Sequence, residues 1–165
     1  MDKPTNNCFL NLHYPQVSNA SDKRKNILES IYRIYINKFV SVSEYIYQNL
    51  MFSTTHPIVS DIVECISITE LKHFKLLGKL LTSLGINPRI RYTDLNRKSR
   101  DSEHASRTND SELKNFLFSD IYFAKNFIQE LNLLSRATND TVIKALTSRL
   151  ILDEQHKIEL LEELI

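Results

Sequence analysis

The 165 residues suit one domain with a real core, and 42% apolar against 25% charged residues is a globular composition, not a disordered one. Only 2 Gly and 4 Pro argue against an all-β sandwich or a Gly-rich dinucleotide fold, both of which need many turn glycines. The 21 basic and 20 acidic side chains leave a net charge of +1, so the balance gives no reason to expect nucleic acid or an anionic membrane as partner.

Residues 1–21 read as an N-terminal tail. The run after Lys3 has no apolar core of the kind a secretory signal carries, and no apolar run reaches the ~20 residues of a membrane span, so the expected location is cytoplasmic. Cys8 and Cys65 are the only cysteines. They are expected as one tail thiol and one buried small hydrophobe in a reducing compartment.

Four helices are predicted within a single unit, 22–165. The first, about Asp22–Phe52, carries apolar residues at Ile27, Ile31, Ile34/Tyr35, Val42, Tyr45/Ile46 and Leu50, spaced by threes and fours. The second, about Pro57–Leu84, opens on a proline suited to the first turn and closes on Gly85, with Pro88 beyond. The third, about Ser111–Arg136, has Asp110 or Ser111 as cap. The fourth, about Thr141–Glu163, has Asn139 or Asp140. The joints at 53–56 and 137–140 are short enough to make antiparallel neighbours. The linker of about 85–110 is long enough to run the length of a bundle, since ~12 extended residues cover a helix of ~25. Short, long, short predicts an all-α four-helix bundle with one mobile crossover between helices two and three. The linker carries Arg89, Arg91, Arg97, Lys98, Arg100 and Arg107 against Asp94, Asp101 and Glu103. Tyr92 is its one aromatic residue, so it reads as a solvated loop rather than a nucleic-acid surface.

The informative residues are polar ones on the apolar stripes. Glu70 and His73 sit between Ile66 and Leu77, and Glu154 and Lys157 sit between Leu150 and Leu161. Each pair is i, i+3 and projects from one face. Lys38 continues the stripe of Ile31 and Ile34. His13, His56 and His104 fall in predicted loops and are expected in solvent, while Tyr32, Tyr35, Phe39, Tyr45, Tyr47 and Phe52 make helix one unusually aromatic.

The stretches Ser43–Tyr47, Ile66–Phe74, Asp120-Ile121 and Arg149–Ile158 resemble the ferritin-like superfamily, on its rubrerythrin, bacterioferritin and manganese-catalase side. The resemblance implies a ferritin-like bundle with a di-iron or di-manganese centre. Its ligands would be a Glu on helix one, Glu-x-x-His on helix two, a Glu on helix three and Glu-x-x-His on helix four. Carried over, Glu70, His73 and Glu154 are the residual ligand candidates. Lys38, Ala124 and Lys157 stand at substituted ligand positions. Glu44 falls on another face, and His156 is about 100° away from Lys157 around the helix.

Two lysines and two glutamates sum to zero without a metal, which predicts a buried ion-pair cluster of Lys38, Glu70, Glu154 and Lys157, with His73 hydrogen-bonding to it. The leading reading is a degenerate, non-catalytic binding or structural protein with no cofactor. The aromatic surplus of helix one predicts a homodimer, and neither membrane nor nucleic acid is expected as partner. One alternative is a di-iron or di-manganese oxidoreductase of ferroxidase, peroxidase or catalase type that borrows Asp120, Glu130 or Asp153. Another is a mononuclear site of Fe, Mn or Zn on Glu70, His73 and Glu154.

Overall fold

A computed structural model describes residues 8–91, 95 and 110–165. It is an all-α four-helix bundle: α1 (Lys25–Phe52), α2 (Pro57–Ser83), α3 (Asp110–Ala137) and α4 (Thr141–Glu162). α1 packs against α2 and α3, and α4 against α3 and α2. His56 Nε2 lies 3.1 Å from Asp110 Oδ1, so α3 starts at the end of the bundle where α2 starts, and the two run parallel. Residues 92–94 and 96–109, which hold most of the expected crossover, its basic residues from Arg97 to Arg107 and His104, lie outside the described residues.

Local chemistry explains the helix ends. Gly85 takes φ +85°. Its N–H donates to the carbonyl of Thr82 (3.0 Å) and that of Ile86 to Leu81 (2.9 Å), which satisfies the last carbonyls of α2 in the left-handed glycine cap. Asp140 caps α4 through Oδ1, which accepts from the N–H groups of Val142 (2.9 Å) and Ile143 (3.1 Å). α1 begins at Lys25 rather than Asp22, because Asp22 is engaged otherwise: its carboxylate accepts from Arg24 and from the Thr138 hydroxyl (2.6 Å).

The interior has two apolar halves. One gathers Ile27, Ile31 and Ile34 with Leu77, Leu80, Leu131, Leu146 and Leu150. The other gathers Phe52, Val63, Ile66, Leu117 and Leu161. Charged residues buried near the midpoints of the helices separate them: Lys38, Glu70, His73, Asp153, Glu154 and Lys157.

Three expectations are corrected. Residues 8–21 are not a free tail; they lie along the bundle as a strap, held by Ser83 Oγ on the Val17 carbonyl (3.0 Å) and by Asp140 Oδ2 on the Ser21 N–H (2.6 Å). The strap brings Cys8 to Cys65, and the two are joined as a disulfide, not held as free thiols. Ile46 and Leu50 are exposed, because the inner line of α1 passes through Tyr45, Gln48 and Phe52 and leaves them turned aside. Of the α1 aromatic residues, Tyr35, Tyr45 and Phe52 are buried in the core, and Phe39 and Tyr47 are exposed.

Candidate functional site

The central layer is built by side chains from three of the four helices. Lys38 comes from α1, Glu70 and His73 from α2, and Asp153, Glu154 and Lys157 from α4. Glu70 with His73, and Glu154 with Lys157, share a face at i, i+3 spacing and so enter the layer together.

Lys38 is 1% exposed, and its ammonium sits between two carboxylates. It donates to Glu70 Oε2 at 2.6 Å and to Glu154 Oε1. Lys157 Nζ closes the ring, donating to Glu70 Oε1 at 2.9 Å and lying 2.5 Å from Glu154 Oε2. Lys38 Nζ also lies 3.8 Å from the centre of the Phe127 ring, a cation–π contact on the α3 side. Ala124, one turn before Phe127, is buried and contributes only a methyl group.

The electrostatics of this ring are set by competition. Burial opposes the charged form of Glu154, but the ammonium groups of Lys157 and Lys38 outweigh it and hold the carboxyl well below its ordinary range. Burial likewise disfavours the charge on Lys157, and the two glutamates reverse that, raising it well above the ordinary lysine value. Two positive and two negative groups thus balance in a space closed to water.

His73 has a different partner from the one expected. Its Nε2 is 2.8 Å from Asp153 Oδ2, while Nδ1 stands 3.7 Å from Glu154 Oε1 and has no hydrogen-bond partner among the described residues. Asp153 is a node of its own. It accepts from the Tyr14 hydroxyl (2.6 Å), and Arg149 lies 2.5 Å from its other oxygen. Burial pushes the Asp153 carboxyl up, and hydrogen bonds from His73, Tyr14 and Arg149 bring it below its usual range. Arg149 also stacks on Tyr14 and donates to the Leu12 carbonyl (3.3 Å), so the strap closes this side of the layer. Burial and the hydrogen bond to Asp153 raise the Tyr14 hydroxyl far above its ordinary value.

A second buried carboxylate lies towards α3. Asp120 accepts from Gln48 Nε2 at 3.1 Å, and its Oδ2 has no hydrogen-bond partner among the described residues. Burial raises it to about 7, against the lowering effect of Gln48 and of Lys157.

No family model, curated protein or solved structure matches the chain. The chemistry of the site is therefore read from its own residues. Glu70, His73 and Glu154 offer ligand atoms within 4.8 Å of one another. The donor set does not fit two metal ions, because two of the three other ligand positions hold the ammonium groups of Lys38 and Lys157, which cannot donate a lone pair while charged, and the third holds the methyl group of Ala124. The residues considered as replacement ligands do not join the ring: Glu130 accepts from Asn37 (3.3 Å), Asp153 faces Tyr14, His73 and Arg149, and Asp120 pairs with Gln48. Glu44 is exposed on α1, and His156 turns to Glu159 at 3.5 Å. His13 is exposed as expected, whereas His56 is half-buried against Asp110.

The sequence reading had no role for Tyr14 or Arg149. The i, i+4 relation of Arg149 to Asp153 was the available signal for one of them. Tyr14 had none, since nothing local marks a tail residue that folds back.

Proposed function

We propose that this is a ferritin-like bundle, of the rubrerythrin-like group, in which two lysines supply the positive charge that a di-metal centre would carry. On this reading it is a non-catalytic binding or structural protein, a homodimer with no cofactor. The observation that carries the reading is the closed ring of Lys38, Glu70, Lys157 and Glu154. A divalent cation placed there would meet two ammonium groups within a few ångströms in a medium of low dielectric, where like charges repel strongly. The same ring offers no redox-active group and no open coordination position.

A second reading is favoured by the unpartnered Nδ1 of His73. It is a single Fe, Mn or Zn ion on Glu70, His73 and Glu154, bound after Lys38 swings out. Titration calorimetry of the metal-stripped full chain with ferrous, manganous and zinc ions separates the two. The leading reading expects no binding in the micromolar range. A one-to-one complex that disappears in His73→Ala would establish the second, and two ions per chain would establish a di-metal centre.

A further inference from the structure

Outside the central layer, the outer face of α2 carries an ordered pattern. Asp61 and Glu64 lie towards its start, Ile68 and Leu71 at its middle, and Lys75 and Lys79 towards its end. All six are exposed, with Ile68 at 43% and Leu71 at 37%. At about 100° per residue they fall on one stripe within roughly a quarter of the helix circumference. Among the described residues, none of the four charged side chains makes an ion pair within its own chain.

This arrangement is unfavourable in an isolated chain. Asp61 and Glu64 are like charges at i, i+3, and Lys75 and Lys79 are like charges at i, i+4, the spacings at which opposite charges stabilise an exposed helix. The helix dipole favours acids near the start and bases near the end, but its influence falls off within the first and last turns. Glu64 and Lys75 lie well inside those limits. Nor does the dipole account for two large apolar side chains left in water at the centre.

We infer that α2 pairs antiparallel with α2 of a second copy of this chain across a two-fold axis near residues 69–70. The pattern is self-complementary about that point. Glu64 and Lys75 are equidistant from it, as are Ile68 and Leu71, and Asp61 and Lys79 match to within one residue. One register therefore sets both acids of each copy opposite both lysines of the other and brings Ile68 and Leu71 of the two copies together, with Lys72, held over the Phe9 ring at 4.3 Å, at the edge of that centre. This is the isologous contact a two-fold axis demands. Phe39 of α1, 38% exposed, packs on Phe74 with ring centres 5.8 Å apart and widens the apolar centre beside Leu71. That added width matters, because a specific dimer buries ~1,000 Å² or more in total. This inference rests on the dimer in the proposed function and gives it a surface, a direction and a register.

Charge exchange tests it. Two full-length variants are made, K75E/K79E and D61K/E64K, each at exposed positions, with helicity and melting checked by circular dichroism. Sedimentation at micromolar concentration should show the wild type as a dimer. Each variant alone should dissociate at least tenfold more readily, because like charges then face each other at both ends of the pair. An equimolar mixture should recover the dimer, since each acid pair again meets a lysine pair. A wild type that stays monomeric at high micromolar concentration would overturn the inference together with the dimer. Variants that dimerise like the wild type, or a mixture that stays monomeric, would overturn the α2 register alone. The metal titrations respond to neither outcome, so the central-layer reading stands or falls separately.

Discussion

Glu154 and Asp120 are both carboxylates buried in the same bundle, on packed neighbours α4 and α3, and the protein treats them in opposite ways. Glu154 has two ammonium groups against it and is held ionised. Asp120 has one amide donor and, among the described residues, no ion-pair partner, and is pushed up to about 7. Glu154 is the more deeply buried of the two, 0% against 9% exposed, so burial cannot explain the difference and the partners decide. The comparison teaches that the charged layer is tolerated because it is closed on itself, and that the carboxylate just outside the ring is the unbalanced group.

Opening the ring should have the largest effect. Lys38→Met removes a cation from between two carboxylates and should destabilise the fold by about 3–5 kcal/mol, the usual cost of leaving a buried charge uncompensated. Replacing Lys38, Glu70, Glu154 and Lys157 together by apolar residues of similar size should cost far less or even stabilise, because no charge then remains to be desolvated. Urea unfolding of both variants at pH 7 checks the pair. Equal losses would mean that the ring does not act as a unit.

Asp120 gives the opposite sign. Its folded value lies above that of an unfolded aspartate, so protonation favours the native state. The stability this gives is complete below about pH 4 and declines as pH rises through about 7. Asp120→Asn removes the ionisation and should stabilise at pH 8 by a few kcal/mol, with little change at pH 4. The ring shows the contrary acid response. Because the Glu154 carboxyl is depressed, its contribution is present above about pH 4 and is lost below that, while the raised Lys157 keeps its contribution until pH exceeds about 10. Denaturant melts of wild type and Asp120→Asn across pH 4–8 should converge at the acid end and separate at the alkaline end.

The smallest expected effect concerns the strap. Tyr14→Phe deletes one hydrogen bond to Asp153, which keeps His73 and Arg149 as partners. A loss of about 1–2 kcal/mol is expected, with hydrogen exchange rising first in residues 8–21. Exchange unchanged in that segment would mean that the strap is held elsewhere, by Cys8 or by Asp140.

How much of this was legible depended on whether the signal was local. The four helices followed from apolar spacing, Gly85 and Asp140, all features of a few neighbouring residues. The four members of the ring were legible because each interrupts an apolar stripe at a position that can only face inward. Asp153 was harder, since it sits one residue from Glu154 and so seems to belong to another face; its partners come from α2 and from the strap. Tyr14 and the Cys8–Cys65 pair were illegible, because they depend on residues 8–21 returning across α2 and α4. No periodicity encodes that path. The inner line of α1 was misjudged at Ile46 and Leu50 because an apolar residue one step from Tyr45 looks equally suited to the core.

The central claim is that lysine ammonium groups take the place of metal charge, and thermal melts with and without manganous ion test it most directly. The measurement compares the wild type with K38E/A124E/K157H, which would place four carboxylates and two imidazoles in the layer, ligands suited to Mn or Fe. Without metal the variant should be less stable than the wild type, because its carboxylates repel one another. With metal at a hundredfold excess over its dissociation constant it should regain about 2.7 kcal/mol, while the wild type shows almost no shift. A wild type that gains stability from manganous ion as strongly as the variant would contradict the account, because it would show a working metal site in the presence of both lysines.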